Sequence, residues 1–404
     1  MSFETSLTGL NAASADLDVT GNNVANSSTV GFKGSRAEFA DIFASGDLGV
    51  SQNAIGQGVR LANVSQQFTQ GQFNFTGNTL DLAVNGTGFF RTSDSGSIQY
   101  TRNGAFQLDR DGYITDSSGR HLTGYQATDT GTISGALGDL KVNVGNVAPK
   151  ATSSVGISAN LKSGADVIDP AKTFASDQPD TYNFSTSTTV YDSQGRDHLA
   201  TLYFRKTDAA NNDWTAYVDG GDGAGASGHS LDITFDNNGN IATPANKDFT
   251  FNYAGAGSST VNVDLSSLTQ YGSDFDVKQL SQDGFAAGQF SSLGVENDGR
   301  LLARFTNGQS QTLGQIALTR FPSPQKLQQA GDTSWVETFQ SGTPVTGAPG
   351  SSGLGDLQSG ALEQSNVNLT EQLVKMITAQ RNFQANSQMI STQSKITQNI
   401  LNIG

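Results

Sequence analysis

The sequence predicts a multidomain α+β chain in which two long terminal helices enclose mainly-β domains. Three observations predict it. All 8 prolines lie between Pro149 and Pro349, so both ends lack the residue that breaks helices and central strands. Apolar residues recur at helical spacing at each end. Between them, period-two runs alternate with Gly-containing turns.

At the N-terminus, Phe3, Leu7, Leu10, Leu17 and Val24 recur at steps of three, four or seven. Ser2 is placed to cap this helix, and Glu4 sits in its first turn, where the helix dipole favours an anion. Gly21-Asn22-Asn23 is expected to weaken or bend it. At the C-terminus, Leu369, Leu373, Met376, Phe383, Ile390 and Leu401 share one face, with Ile377, Ile396, Ile400 and Ile403 beside it. Asn368 and Glu371 resemble a capping box, and Glu371 with Lys375 forms a favourable i,i+4 pair. A helix from Asn368 to Ile403 would be roughly 50 Å long. Burying five apolar side chains contributes on the order of 10 kcal/mol, whereas ordering about twenty residues costs on the order of 20–40 kcal/mol. The ends are therefore expected to be frayed alone and ordered in an assembly.

The middle reads as β. Thr188 to Tyr191 and Leu199 to Phe204 alternate, and a turn pattern recurs at Asp109 to Gly112, Asp192 to Gly195, Asp236 to Gly239 and Asn297 to Gly299. The spacing is similar to a calcium loop, but the fuller acidic pattern with a distal Glu is missing, so hairpin turns are expected and metal binding is not. Boundaries are expected near 146–150 and 281–284. The Gly-, Ser- and Pro-rich stretch 341–360 reads as a linker into the last helix.

Composition bounds the function. The chain has 404 residues, enough for two to four domains. Charged residues are only 15%, yet 23 Phe and 9 Tyr argue for a folded chain. The net charge is −14 with no basic stripe, so neither nucleic acid nor an anionic membrane is an expected partner. A low charge density suits a surface that meets copies of itself. With no cysteine, disulfides and thiolate chemistry are excluded. No cleavable signal and no apolar run of membrane-spanning length are read, so no membrane insertion is expected. His121, His198 and His229 stand alone, without a second ligand at helical spacing, and no hydrolase or nucleotide-binding motif occurs. The expectation is no enzyme, no catalytic residue, no metal and no cofactor.

Three segments carry a resemblance. Gly21 to Asn26 followed by Thr29 to Lys33 resembles the N-terminal signature of bacterial flagellar rod and hook proteins, through Asn22, Asn23, Asn26, Gly31, Phe32 and Lys33. Leu80 to Phe90, followed by Tyr100 to Phe106, resembles their shared β domain. Gly360 to Val367, followed by Ala379 to Asn386 with Gln380, Arg381 and Asn382, resembles their C-terminal helix. The insertion at about 147–284 resembles the hook type and not the rod type.

The resemblance implies a domain plan. Residues 1–30 and 365–404 would pair as a helical coiled-coil domain, and 31–70 would connect it outward. Residues 71–146 plus 285–360 would form an inner β domain, and 147–284 an outer one. It implies a structural subunit that self-assembles into a curved, bendable helical tube, a universal joint passing motor torque to the filament. Implied partners are further copies, the distal rod protein, the hook cap protein, the hook-filament junction protein and the flagellar type III export apparatus. The implied location is the flagellar basal body and hook, outside the cell. The competing readings are a distal rod protein with an unusual insertion, a secreted β-rich adhesin and a secreted glycan-cleaving enzyme.

Overall fold

The computed structural model describes residues 3–42, 56–128, 131–142, 145–243 and 246–403, with side chains as far as 399. Ser2 and the side chains of Ile400, Leu401 and Ile403 lie outside the described set. Two units are distinguished: Met1–Val144, Ser292–Arg304 and Ser310–Gly404 form unit 1; Gly145–Ser291 and Phe305–Gln309 form unit 2.

Unit 1 begins with helix α1, Phe3–Ala25, which runs without interruption through Gly21. Strands β1, Ser35–Asp41, and β2, Val59–Gln66, then form an antiparallel ribbon with a bulge between Glu38 and Phe39. Helix α2, Leu369–Ile403, closes the chain. Its Asn368 side chain caps it as expected, accepting from the Glu371 amide at 3.2 Å. Glu371 and Lys375 pair at 2.7 Å on the exposed face. α1 packs against α2 and against both strands of the ribbon.

The β part of unit 1 is woven from two distant stretches. Leu82–Asn85 pairs with Asp356–Ser359, Phe73–Phe75 with Ala361–Glu363, and Ser97–Thr101 with Ser334–Val336. Phe89, Tyr100, Phe321, Leu327 and Trp335 cluster at its core, with Phe68 packed edge-on to Phe89 and Trp335. The linker expected at 341–360 is not a linker. It holds strands Val345–Gly347 and Asp356–Ser359, and buries Leu354 and Leu357. Its glycines turn the chain back on itself, so a composition typical of spacers here makes tight reversals between paired strands.

Unit 2 has two sheets around one core. One joins Asn246–Tyr253, Gly257–Asp264, Ser154–Lys162, Thr269–Tyr271 and Asp276–Gln282. The other joins Phe184–Tyr191, Asp197–Asp208, Asp213–Asp219 and Ser230–Thr234 as an antiparallel meander. Alternate residues point inward, as in Phe249, Phe251 and Tyr253 or Trp214, Ala216 and Val218. The two predicted runs, 188–191 and 199–204, lie on the first two strands of the meander.

Candidate functional site where the two chain ends meet

The segment between α1 and β1 makes a sharp reversal at Gly31, which has φ +70°. A β-carbon there would lie 2.5 Å from the Asn103 backbone nitrogen, so glycine is required by both conformation and space. The Gly31 amide donates to the Glu363 carbonyl at 2.8 Å, which ties the start of the chain to the strand that leads into α2.

Lys33 then points inward. It is 1% exposed, and its Nζ donates to Glu363 Oε1 at 2.6 Å and to the Thr69 carbonyl at 2.8 Å. Glu363 is fully buried, and its second oxygen accepts from Arg102 Nη1 at 3.1 Å. The Gly71 amide supplies a further donor to Oε1 at 2.9 Å. Arg102 also donates to the Gly86 carbonyl at 2.8 Å, and its guanidinium lies 5.4 Å from the centre of the Phe89 ring. Burial pushes the Lys33 ammonium below its usual range, against the pull of the Glu363 carboxylate. Arg102 is shifted down by the same burial, again opposed by Glu363. One carboxylate thus holds two cations in a dry site, and three segments far apart in sequence are pinned together. The three signature segments converge on this clasp.

A second set of pins lies next to it. Asn23, 3% exposed, mimics a peptide group. Its Oδ1 accepts from the Ser35 amide at 2.8 Å, and its Nδ2 donates to the Ser35 carbonyl at 2.7 Å and to Gln372 Oε1 of α2 at 3.1 Å. Asn366 accepts from the Gly34 amide at 2.8 Å and donates to the Gln67 carbonyl at 2.7 Å. Asn26 closes the last turn of α1 on the Asn22 carbonyl at 3.0 Å. Asn22 itself is exposed and Phe32 half-buried. Together with Asn26, Lys33 and Trp335 they line a hollow of about 370 Å³.

The positions of α1 that are covered are Ser6, Ala13, Thr20 and Asn23. On α2 the buried residues are Gln372 and Ala379, with Met376, Phe383, Asn386 and Ile390 half-buried. The helices come close enough at Gly9 that a β-carbon would meet Asn386 Oδ1 at 2.7 Å. Small and polar side chains therefore make the seam within the chain. Leu10, Leu17 and Val24 are half-buried, whereas Phe3, Leu7, Leu369 and Leu373 are exposed. Val374, Ile377 and Ile396 are exposed too, while Gln380, Arg381 and Asn382 sit on the solvent side of α2. Both helices are formed in the single chain, because α1 finds partners in α2 and the ribbon.

The three histidines have structural partners. His121 stacks on Tyr113 and approaches Asp139 at 2.9 Å. His198 reaches Asp192 at 3.1 Å, and His229 the Thr250 carbonyl at 3.1 Å. Among the described residues, no helix is long and apolar enough to cross a membrane.

The three segments that meet at this clasp are also the ones that the sequence comparisons match. Residues 3–33 match the flagella basal body rod protein family, 83–160 the D1 domain of flagellar hook proteins, 160–285 the flagellar basal body protein D2 domain and 358–403 the C-terminal region of the flagellar basal body rod family. The chain is 39% identical to the flagellar hook protein of Salmonella typhimurium, with 100% of each covered. It is 38% identical to that of Escherichia coli over the full length of both, and 31% identical to that of Borreliella burgdorferi over 100% and 99%. It therefore belongs to the flagellar hook protein family and is a structural subunit of the bacterial flagellar hook. The fold is similar to that of a Helicobacter pylori flagellar hook protein, with a TM-score of 0.55 at 15% identity, covering 72% of this chain and 100% of that one.

Proposed function

We propose that the chain polymerises through its two terminal helices into the curved, bendable tube of the hook, a universal joint that passes motor torque to the filament. The observation that carries this is the pair of helix faces left over after α1 and α2 have packed. Phe3 and Leu7 on α1, and Leu373, Val374, Ile377 and Ile396 on α2, remain exposed although the helices are otherwise sealed by small and polar residues. Each such side chain contributes about 1.5–3 kcal/mol when fully buried, so copies side by side gain what one chain forgoes. The covered positions Ser6, Ala13 and Thr20, and Gln372, Ala379 and Asn386, recur every seven residues, which supports a coiled-coil pairing of the ends.

The torque path in this reading is the inner tube of helices, and the β units outside it slide on polar contacts as the tube bends. Asn, Gln, Ser and Thr surfaces exchange one hydrogen bond for another, or for water, at small net cost. The same reading places the chain outside the cell, delivered by the flagellar type III apparatus. It meets the distal rod protein at one end of the tube, and the cap and then the junction protein at the other.

The test is on α2. Ile377→Asp changes an exposed side chain, and Phe383→Asp a half-buried one. Both are expected to abolish tubes in electron micrographs, while the thermal transitions of the β units stay in place. Normal tubes from both variants would sink the proposal.

A further inference from the structure

We propose that the outward face of α1 on one copy of this chain docks antiparallel on the outward face of α2 on a second copy, the two being matched in charge. This rests on the tube-forming reading above and names the surfaces that meet. The seam inside the chain covers Ser6, Ala13 and Thr20 on α1, and Gln372, Ala379 and half of Asn386 on α2. A helix turns about 100° per residue, so Glu4, Asn11, Asp18 and Ala25 form a stripe roughly 150° round α1 from that seam. Val374, Arg381, Gln388 and Lys395 form a stripe roughly as far round α2. The side chains of both stripes are exposed. Each stripe points away from the other helix of its own chain, so the two can meet only between copies.

Charge identifies the occupant. α1 contains Glu4, Asp16 and Asp18 and no basic residue. On α2, Lys375 is taken by Glu371 at 2.7 Å, which leaves Arg381 and Lys395 as its open cations. Among the described residues, neither these two nor Glu4 and Asp18 have an ion-pair partner. A charged helix face is ordinarily just solvated. What sets these two apart is that sign, spacing and order all agree. Glu4 and Asp18 are separated by two heptads, and so are Arg381 and Lys395, which puts each pair roughly 21 Å apart along its helix. Direction follows from the fold and from symmetry. Asn23 meets Gln372, and a β-carbon on Gly9 would meet Asn386, so α1 and α2 run antiparallel within the chain. A screw operation keeps every copy pointing the same way along a tube, so α1 of one copy also runs antiparallel to α2 of the next. In that direction, setting Asp18 on Arg381 brings Glu4 onto Lys395, Asn11 onto Gln388 and Ala25 onto Val374. Charge meets opposite charge, amide meets amide and apolar meets apolar. The same register sets Phe3 beside Ile396, both of them exposed in the single chain. The contact joins two different surfaces, so it repeats from copy to copy without closing on itself.

The experiment compares wild type, Asp18→Arg, Arg381→Asp and the double variant that carries both changes, in a sedimentation assay of tube growth at low salt. Each single reversal replaces an attraction by a repulsion, and is expected to raise the critical concentration by roughly fivefold to thirtyfold. The double variant restores the pair with its signs exchanged, and should return to within about threefold of wild type. In high salt the two single variants should approach wild type, because exposed charges are screened. Thermal midpoints of the unpolymerised chains should agree, since neither side chain has an ion-pair partner within its own chain. Single variants that assemble like wild type would mean that the charges are only solvated. A double variant as poor as the single ones would mean that the two positions do not meet. Either result overturns the docking and leaves the tube reading intact. A wild-type chain that forms no tubes overturns the tube reading and the docking with it.

Discussion

Glu363 accepts from two cations and a backbone amide without any contact with solvent. Removing its charge leaves Lys33 and Arg102 buried and unpaired, which costs about 3–5 kcal/mol in comparable sites. Glu363→Gln is therefore expected to lower the urea midpoint of unit 1 and leave unit 2 unmoved. The two tryptophans separate the readings: Trp335 lies in the core of unit 1 and Trp214 in that of unit 2, so a Trp214→Phe background reports unit 1 alone. Half of this site was legible. Lys33, Asn23 and Gly31 stood out as signature residues, yet the partner of Lys33 lies 330 positions away, and no spacing rule joins them. Arg102 and Glu363 were visible as members of matching segments. What they do came only with the fold.

The hairpins show how much one turn can fix. At Asp109, Asp192 and Asp236 the Oδ1 atom accepts from the amides two and four residues on, at 2.7–3.0 Å. A fourth such turn, at Asp116, escaped notice in the sequence because Ser-Ser fills its middle. The expected turn at Asn297 is framed instead by Glu296 and Arg300, whose backbones bond across it. Asp192 also takes the Arg196 Nε at 2.8 Å and is fully buried. Its burial would raise the carboxyl, but the bonds from His198, the Arg196 and Gln194 amides and the Arg196 side chain hold it well below the usual carboxylate range. A carboxylate depressed in the native state adds stability above its unfolded value, near about pH 4, and loses it as the pH falls through the native one. Asp192→Asn should thus destabilise unit 2 at neutral pH, with the deficit shrinking below about pH 4 as wild type loses the same contribution. Melting curves across that range check the sign. Asp283, also held low because Lys150, Ser153 and the Ser154 amide outweigh its burial, leaves some acid sensitivity in the variant. For the helices, periodicity found the right elements but not the seam between them. It counted apolar residues, whereas the close seam inside the chain selects small ones such as Ala13 and Ala379.

The long segment of unit 2 is closed by backbone pairing where it begins and ends. Lys150 and Phe285 exchange both backbone hydrogen bonds at 3.0 Å, and Val147 and Gly288 bond in the same way at 2.9 and 3.1 Å. The ends of the inserted stretch are therefore neighbours, so excising 151–284 asks only for a short new turn. The excised chain is expected to keep the unit 1 transition and still form tubes, with altered curvature in electron micrographs. Loss of all assembly would show that the outer unit is part of the polymer's framework. In the sequence the resemblance assigns 285–360 to one β domain with 71–146, whereas the local composition of 341–360 reads as a linker, because its strands are recognisable only beside their partners at 82–85 and 318–320. The clasp has one more consequence, and it concerns time. Any process that delivers this chain N-terminus first, a ribosome or a narrow channel, presents Lys33 long before Glu363. Until nearly the last tenth of the chain arrives, a cation meant for burial has no anion to meet it, and the first helix has no second helix to lie on. The fold of unit 1 therefore cannot be completed early, and its closure reports that delivery is almost over.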